Sequence, residues 1–376
     1  MSFSVLVVGG GVIGLSNAWE LARRGAQVHL VDRRCAGREA SWAGAGMLPS
    51  VSRQPSDPLE QLRTLSHELH RHWAERLRSF TGIDTGYHRC GGLHLATSSG
   101  EAATLAAQAT DWHADGILAE KMLFSEAVAV EEVLSSIVES GRLRAVYRLE
   151  NDCQLRNPRH LQALRAACIQ SGVTLLENSE VIGLASARFQ RVEVQLTNKA
   201  LVVDKVCFSG GAWTGQWFEQ WGIPSSIYPV RGQMVLMRFK QPLFSHLLLE
   251  GNRYLVPRED GHVLIGSNEE EVGFKAGVTE NVIDELTQWA FSIVPELRFA
   301  TIEQTWSGFR PASIDGLPFI CEVPTFPSLY LAAGHFRAGL HLSCATAVCL
   351  ADLMFGETPP INLDAFRASR GYTANR

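Results

Sequence analysis

Three glycines near the start of the chain are spaced to bind a phosphate-containing ligand. Val5 to Val8 are apolar and predict a short buried strand, and Gly9, Gly11 and Gly14 follow it in a G-x-G-x-x-G pattern. This pattern provides a tight turn, a close backbone approach to a pyrophosphate and a close contact between helix and strand. The N–H groups and positive end of the next helix then face the pyrophosphate. We therefore predict a dinucleotide site, against the alternative of a βαβ unit with chance glycines.

An acidic residue after the second strand supports this prediction. A helix over residues 14–24 closes at Gly25, Val28 to Val31 form the next strand, and Asp32 ends it. Asp32 comes 18 residues after Gly14, where a carboxylate can accept hydrogen bonds from an adenosine ribose.

Three further segments are rich in small residues. Residues 40–47 read ASWAGAGM, residues 209–213 read SGGAW, and residues 334–340 read GHFRAGL before a long apolar helix that runs to about Phe355. Such segments suit close backbone contact with a flat ligand. For residues 40–47 a helix start packed against the core is the alternative, and we favour ligand contact because the glycine loop already predicts a nucleotide.

The order of the predicted elements indicates a discontinuous organisation. The chain has 376 residues, too many for one core, so about two domains are expected. A second βα crossover around residues 157–176 returns to the first sheet, whereas residues 227–270 alternate as antiparallel strands. We therefore assign residues 1–50, 151–215 and 305–376 to the nucleotide domain, and residues 51–150 and 216–304 to the substrate domain.

Composition excludes several classes of protein. Hydrophobic content of 46% and charged content of 19% are ordinary for a soluble globular protein. A net charge of −5 argues against nucleic acid or an anionic membrane as partner. We find no signal peptide and no uninterrupted apolar stretch of ~18 residues, so a cytoplasmic location is expected. The eight cysteines form no C-x-x-C pair, which predicts reduced and mostly buried thiols.

A predicted helix over residues 55–79 carries three histidines. His67, His70 and His72 do not share one face at their spacing, and no acidic or cysteine partner is in register with them. We therefore expect a solvated helix face there and no metal site.

Five motifs together resemble one family of flavoenzymes. They read VVGGGVIG, EASWAGAGML, YLVPREDGHVLIGS, SGFRPASIDGLPF and AAGHFRAGLHLS, and they follow the family's order over nearly the whole chain. The chain is similar to the glycine oxidase branch of the D-amino acid oxidase family, above all to members that supply thiazole synthesis for thiamine. The resemblance implies an α/β and α+β fold, with a discontinuous, Rossmann-like FAD-binding domain and an inserted antiparallel-sheet substrate domain.

The resemblance also implies where FAD binds. The diphosphate is expected at the glycine loop, the ribose at the end of the second strand, the adenine at the Val181 backbone, and the flavin ring beside residues 335–341. A helix N-terminus aimed at the ring's pyrimidine edge would stabilise negative charge on it. The residues expected to bind the cofactor are Gly9, Gly11, Val12, Ile13, Gly14, Asp32, Arg33, Ala40, Ser41, Ala45, Gly46, Met47, Val181, Gly210, His335, Phe336, Arg337, Ala338, Gly339, Leu340 and His341.

Three residues are expected at the substrate by resemblance. Arg310 matches the family arginine that grips the substrate carboxylate in a two-pronged pair, which lysine does less well; a surface charge is the alternative. Tyr254 corresponds to a tyrosine that donates its hydroxyl to the same carboxylate, although alone it would be taken for a core aromatic. Arg337 corresponds to a second active-site arginine, with a structural role beside the flavin as the alternative.

Two residues depart from the family pattern. Glu269 stands where glycine oxidases carry an apolar methionine, so it either favours a cationic amine or faces water. Cys321 stands where we expect glycine. Related sarcosine oxidases attach FAD to a cysteine, but the motif around Cys321 is not theirs, and noncovalent FAD is expected.

The implied activity is the oxidation of a small amine, most simply of glycine to an imine and glyoxylate, with dioxygen reduced to hydrogen peroxide. Expected partners are the amino acid substrate, dioxygen, a second copy of the chain and a thiazole synthase that receives the imine. Sarcosine or D-amino acid oxidation, a dehydrogenase that reduces a quinone, a catalytically inactive flavin-fold binding protein and an NAD-dependent dehydrogenase stay open as alternatives.

Overall fold

The computed structural model describes residues 3–186 and 191–370. Its helices are α1 (Val12–Arg23), α2 (Glu39–Ala43), α3 (Pro58–Thr81), α4 (Ser99–Ala114), α5 (Phe124–Val130), α6 (Ser135–Glu139), α7 (Asn157–Gln170), α8 (Glu280–Ile293) and α9 (Gly339–Phe355). Its strands are β1 (Ser4–Val8), β2 (Gln27–Val31), β3 (Met47–Leu48), β4 (His88–Arg89), β5 (Gly92–Ala96), β6 (Ala119–Lys121), β7 (Ala145–Leu149), β8 (Cys153–Gln154), β9 (Thr174–Leu176), β10 (Val181–Ser186), β11 (Val192–Leu196), β12 (Ala200–Val203), β13 (Lys205–Phe208), β14 (Ile227–Arg238), β15 (Leu247–Glu250), β16 (Arg253–Pro257), β17 (His262–Gly266), β18 (Thr301–Ser313), β19 (Phe319–Glu322) and β20 (Leu329–Ala333).

A six-stranded sheet organises the first domain, in the order β19-β20-β13-β1-β2-β9. Its strands are parallel except β19, which pairs antiparallel with β20. Val5 and Val7 of the central strand face α1, α3, α7 and α9, whereas Leu6 and Val8 face the opposite side. Because successive strand side chains alternate between the two faces, both faces of the sheet are buried. The second face is covered by the antiparallel sheet β10-β11-β12.

An eight-stranded sheet organises the second domain, in the order β18-β14-β17-β16-β15-β5-β7-β6. It is antiparallel apart from the parallel pair β15 and β5. Val235 and Met237 on β14 pack in a core with α5, α6 and α8, whereas Met234 points to the other face. That second face turns toward the first domain, where it contacts Ala45. The predicted combination of a parallel-sheet domain with an inserted, mainly antiparallel sheet is confirmed.

Helix α3 shows how the local sequence sets its ends. Asp57 caps it by accepting hydrogen bonds from the N–H groups of Leu59 and Glu60, at 2.9 and 3.1 Å. Proline at the first helical position lacks the N–H that would stay unpaired there. Gly82 ends the helix in the left-handed region with φ 75°, which glycine adopts without strain.

Two stretches lie elsewhere than the expected domain boundaries. Residues 305–313, expected in the nucleotide domain, belong to β18 and pair along β14 in the eight-stranded sheet. Helix α3, expected in the substrate domain, packs Trp73 and Leu77 into the core of the parallel sheet. Both differences have the same cause. The domain to which a segment belongs is decided by its contacts with distant parts of the chain, and hydrophobic periodicity predicts only local secondary structure. The remaining domain boundaries stay predictions.

The solvated face expected for the histidines of α3 is wrong for His70. Its side chain is buried, and its Nε2 lies 3.1 and 3.0 Å from the carbonyl oxygens of Leu340 and His341. Two carbonyl acceptors require that this nitrogen carries the proton. Burial lowers the pKa of His70 to about 4, so the ring is a neutral link between α3 and the start of α9.

One helical segment is long and apolar enough to cross a membrane by length and composition alone, although charged residues interrupt its apolar run. This segment, Phe336–Phe355, is 67% buried inside the structure. It packs against α1 and α3, so it is a buried core helix of the first domain.

The placement of α3 in the parallel-sheet core gives a stability prediction. Leu77 is fully buried there, so Leu77→Ala leaves a cavity and should lower the free energy of unfolding by ~2–4 kcal/mol. Leu118→Ala is the control, because Leu118 is 59% exposed and its truncation should change stability by less than about 0.5 kcal/mol. Thermal and urea denaturation measure both. Equal effects of the two variants would contradict the placement of α3.

Candidate active site

A cavity of about 670 Å³ lies between the two domains. It opens where β1, β2, β13 and β20 end, at Val8, Val31, Phe208 and Ala333. The carboxyl ends of parallel strands are the usual ligand position in such sheets. The opposite wall comes from β14, β16 and β18 of the eight-stranded sheet. One continuous space therefore joins the predicted dinucleotide loop to the eight-stranded sheet.

The glycine loop is closed by backbone contacts that exclude side chains. A Cβ on Gly9 would lie 2.4 Å from the carbonyl oxygen of Ser209, and one on Gly14 would lie 1.8 Å from the oxygen of Gly9. Gly9 also has φ 99°, in the left-handed region. Gly9 and Gly11 line the cavity, whereas Gly14 serves the close packing of α1 against β1.

Asp32 holds the loop from the end of β2. Its Oδ2 accepts a hydrogen bond from the Gly10 N–H at 2.7 Å, and its Oδ1 accepts one from the Arg34 N–H at 2.8 Å. Burial raises the pKa of Asp32 although both hydrogen bonds oppose the shift. A carboxylate offers about four acceptor positions, so Asp32 can still accept from a ligand in the cavity.

Two helix N-termini open into this space. The first turns of α1 and α9 contain no acidic residue, and neither N-cap residue, Gly11 or Ala338, makes a side-chain capping bond. The positive end of each helix therefore faces the cavity, and neither helix carries an anion of its own in its first turn. The Ser41 hydroxyl accepts from the Val12 N–H at 2.9 Å, which fixes the small-residue segment against the start of α1.

Arg310 is seated on a glycine of the neighbouring strand. Its guanidinium nitrogens would lie 2.3 Å from a Cβ on Gly232, so only glycine leaves room for it. Nη1 donates to the Asn268 carbonyl at 3.1 Å, and Nη2 donates to the Ser267 hydroxyl at 2.7 Å. Burial lowers the pKa of Arg310, yet an arginine remains charged at physiological pH. The guanidinium is therefore held at the cavity wall by these two hydrogen bonds, and its remaining N–H groups can donate to a ligand.

Tyr254 reaches the same wall from β16. A Cβ on Gly266, its partner across the strand pair, would lie 2.6 Å from the tyrosine ring. The Tyr254 hydroxyl lies 3.4 Å from the sulfur of Met234, a weak acceptor. A stronger acceptor such as a carboxylate could replace the sulfur as partner of this hydroxyl.

Arg337 lies at the cavity edge on the turn before α9. Its Nε is hydrogen-bonded to Oε1 of Glu269, and its Nη1 donates to Oδ1 of Asn252 at 3.3 Å. The same Glu269 oxygen lies 3.9 Å from Nη1 of Arg310. The bond to Arg337 is the main cause that lowers the pKa of Glu269. Glu269 is therefore ionised between two arginines, and it does not simply face water.

Cys321 has no place in the cavity. It packs in the core between the parallel sheet and the small antiparallel sheet, and burial raises the pKa of its thiol to about 12. Attachment of a cofactor to Cys321 is thus ruled out by its position. All eight cysteines are free thiols and six of them are buried, as predicted. Among the residues that the model describes, no cluster of three or more metal-binding side chains occurs.

The structure brings most of the predicted site residues to one cavity. Gly14, Ala338 and His341 are the exceptions: Gly14 packs helix on strand, and His341 is buried behind the first turn of α9. The other predicted residues line the cavity, and their roles stay predictions. They are Gly9, Gly11, Val12, Ile13, Asp32, Arg33, Ala40, Ser41, Ala45, Gly46, Met47, Val181, Gly210, Tyr254, Arg310, His335, Phe336, Arg337, Gly339 and Leu340.

Sequence reasoning assigned no individual role to three residues of this site. Trp213 lines the cavity with its ring 3.8 Å from the Arg33 guanidinium carbon, a cation–π contact. Gly232 seats Arg310, and a glycine inside a strand does signal a close approach of another group. Asn252 holds Arg337 from a turn, and its sequence context gave no signal for this.

The family of the chain follows from comparison with known proteins. A family model described as FAD dependent oxidoreductase, abbreviated DAO, matches residues 4–353. The chain belongs to this family. It is therefore an FAD-dependent oxidoreductase, and the predicted fold class, cofactor and type of enzyme are confirmed.

Several named relatives match this oxidoreductase over nearly its full length. The chain is 33% identical to a glycine oxidase of Pseudomonas putida, covering 96% of this chain and 97% of the relative. The crystal structure of glycine oxidase from Geobacillus kaustophilus superposes with a TM-score of 0.92 at 32% identity, covering 99% and 100% of the two chains. A relative from Nostoc named bifunctional protein ThiO/ThiG is 31% identical over 98% of this chain but only 55% of its own length.

The chemistry of the residues that line the cavity fits FAD. The glycine cradle and the uncapped start of α1 suit a diphosphate, and the carboxylate of Asp32 suits a ribose. Gly46 continues the cradle, because a Cβ there would lie 2.0 Å from the carbonyl oxygen of Leu155. At the other end, the uncapped start of α9 suits the electron-rich edge of a flavin ring.

A carboxylate at the N-terminus of α1 should displace FAD without unfolding the protein. Aspartate is a favoured N-cap residue, so Gly11→Asp should satisfy the helix while repelling the diphosphate. We expect the flavin content of the purified variant to fall at least about tenfold, with an unchanged far-ultraviolet circular dichroism spectrum. Gly100→Asp is the control, since a Cβ on Gly100 meets open space. Full flavin content in Gly11→Asp would contradict the assigned diphosphate position.

Proposed function

We propose that this oxidoreductase oxidises glycine, or another amino acid of similar size, to the imine, with dioxygen as the final electron acceptor. The imine hydrolyses to glyoxylate and ammonia, and dioxygen becomes hydrogen peroxide. The observation that carries the proposal is the guanidinium of Arg310, held at the cavity wall against Gly232 with unused donors. The glycine oxidases among the full-length relatives support the choice of substrate.

In this proposal Arg310 and Tyr254 bind the substrate carboxylate. The arginine fork gives a two-pronged, charge-assisted pair, and the tyrosine hydroxyl exchanges the sulfur of Met234 for a carboxylate oxygen. These contacts fix the carboxylate at two points, so the rest of a small amino acid can rotate little. Holding a reactant in one orientation is itself a large contribution to rate.

The residues expected to hold FAD are those of the glycine loop, the end of β2, the segment 40–47 and the turn before α9. FAD, when bound, supplies a two-electron acceptor that takes a hydride equivalent from carbon and is reoxidised by dioxygen. The turn at Phe336–Ala338 packs against β18, the strand that carries Arg310. Cofactor site and carboxylate anchor are thus neighbours through the backbone.

Proton removal needs no protein base in this proposal. His335 lines the cavity, but burial lowers its pKa to about 3, and its Nε2 lies 3.0 Å from the Thr346 hydroxyl. A neutral, buried and hydrogen-bonded imidazole is a weak base at physiological pH. The substrate amine therefore loses its proton to solvent, and the neutral amine provides the lone pair that forms the C=N bond.

The fused ThiO/ThiG relative supports a further part of the proposal. In that relative the matched region is joined to a second unit, and such a fusion would allow the reactive imine to pass directly to the next enzyme. We propose that the imine made by this oxidoreductase is used by a thiazole synthase. We also carry forward the cytoplasmic location and the homo-oligomer as parts of the proposal.

Anaerobic reduction of the bound flavin tests the proposed substrate. Glycine should bleach the flavin absorbance of the purified holoenzyme without oxygen, and sarcosine and D-alanine serve as comparison amines. Admission of air should restore the absorbance and produce one equivalent of peroxide per turnover. Bleaching by sarcosine or D-alanine but not by glycine would overturn the substrate, and restoration without peroxide would overturn the acceptor. No bleaching by any amine would favour an inactive flavin-fold protein.

Removal of the arginine fork tests the carboxylate anchor. Arg310→Ala should fold and retain flavin, but its KM for glycine should rise roughly 30-fold or more, because truncation of a buried charge partner weakens binding by ~2 kcal/mol or more. Arg238→Ala is the control: this arginine of β14 is exposed and lies 3.7 Å from Glu303. An unchanged KM in Arg310→Ala would exclude the assigned role.

A further inference from the structure

The cavity edge carries two arginines but only one unpaired positive charge. Arg310 lies inside the wall with 16% of its side chain exposed, and Arg337 lies at the rim with 42% exposed. Glu269 is bonded to Arg337 and lies 3.9 Å from Arg310. The three side chains therefore sum to one positive charge, which matches one carboxylate.

We propose that Glu269 sets the number of carboxylates that this oxidoreductase accepts in its substrate. By pairing with Arg337 it leaves Arg310 as the one arginine free to bind a carboxylate, so amino acids with one carboxylate are favoured and dicarboxylates are excluded. The inference rests on the proposed amino acid oxidase function and adds the residue that limits its substrate class.

The geometry of Arg337 supports this role. Its Nε is turned to Glu269 and its Nη1 to Asn252, so two of its donor positions point at the rim and not at a ligand. Asn252 is a neutral partner at 3.3 Å and contributes no compensating charge. Without the carboxylate of Glu269, the guanidinium would keep its full charge and gain free donors beside a cavity that it already lines.

The neighbouring acid cannot replace Glu269. The carboxylate of Glu270 points away to Arg231, with Oε1 and Oε2 each 3.0 Å from the guanidinium, and Gln233 donates to it at 2.7 Å. This network holds the pKa of Glu270 at about 2 and consumes its acceptors. Of these two adjacent acids, only Glu269 therefore pairs with an arginine of the cavity rim.

The number of carboxylates can be counted with ligands that do not react. Acetate carries one carboxylate and malonate carries two, and the binding of each to the holoenzyme is to be followed by the change in flavin absorbance. Titrations are run at constant ionic strength, at a pH where malonate is fully ionised. In Glu269→Gln the affinity for malonate should rise about tenfold or more, whereas the affinity for acetate should change less than about threefold.

Two further variants make the test specific. Glu271→Gln removes an exposed acid of the same segment and should change neither affinity, which separates a local pairing from a general change of surface charge. The double variant Glu269→Gln with Arg337→Gln should lose the gain in malonate affinity, because the released arginine is then absent. Glu269→Ala should show the same gain and serves if the glutamine variant fails to fold.

The outcomes separate this inference from the proposed function. A parallel change in acetate and malonate affinity in Glu269→Gln, or a gain that persists in the double variant, would overturn the role of Glu269. Failure of glycine to reduce the flavin would instead overturn the proposed substrate, and the binding comparison would still report the carboxylate count. With both upheld, Glu269→Gln should also raise kcat/KM for D-aspartate relative to D-alanine.

Discussion

The structure depends on one backbone contact, the approach of α1 to the end of β1. A Cβ on Gly14 would lie 1.8 Å from the oxygen of Gly9, and a Cβ on Gly9 would lie 2.4 Å from the oxygen of Ser209. The central strand, its helix and the end of β13 therefore meet without any intervening side chain. This close approach leaves the start of α1 and the carboxyl ends of the parallel strands facing one cavity, which is the condition for binding a diphosphate there.

A second set of glycines brings the other domain against that cavity. A Cβ on Gly308 of β18 would lie 2.7 Å from the Cβ of Ala43 in α2, and one on Gly232 would collide with the guanidinium of Arg310. The long pair β14 and β18 can thus approach residues 40–47, and the guanidinium of Arg310 on β18 can lie over Gly232 of β14. Gly308 thus allows close packing against Ala43, and Gly232 leaves space for the guanidinium of Arg310.

The sequence alone predicted the features that depend on local patterns. The G-x-G-x-x-G turn, Asp32 at the end of β2 and the antiparallel run over residues 227–270 need only their own neighbourhoods, and all three occur as expected. Features that depend on contacts between distant parts of the chain were not predicted. His70 reads as one member of a polar helix face, and its burial against the Leu340 and His341 carbonyls depends on α9, which lies at the far end of the chain.

The same limit applies to the candidate site. The resemblance placed Arg310 and Tyr254 in the site, and the model brings both to the cavity, but their seats on Gly232 and Gly266 follow from strand register. Glu269 was noticed as a departure from the family pattern, with two opposite interpretations. The structure pairs it with Arg337 and places it 3.9 Å from Arg310, which is neither of the two expected environments and follows from the fold.

The two arginines of the site differ in what holds them, and this difference has consequences for substrate choice. Arg310 on β18 is fixed by Ser267 and Asn268, which directly follow β17 in the same domain. Arg337 belongs to the first domain, and its partners Glu269 and Asn252 belong to loops of the second domain. The first anchor is therefore independent of how the domains meet, whereas the second depends on their contact. A substitution of Asn252 changes what holds Arg337 and leaves Ser267 and Asn268 in place around Arg310, so the rim of the cavity can change while Arg310 keeps its position.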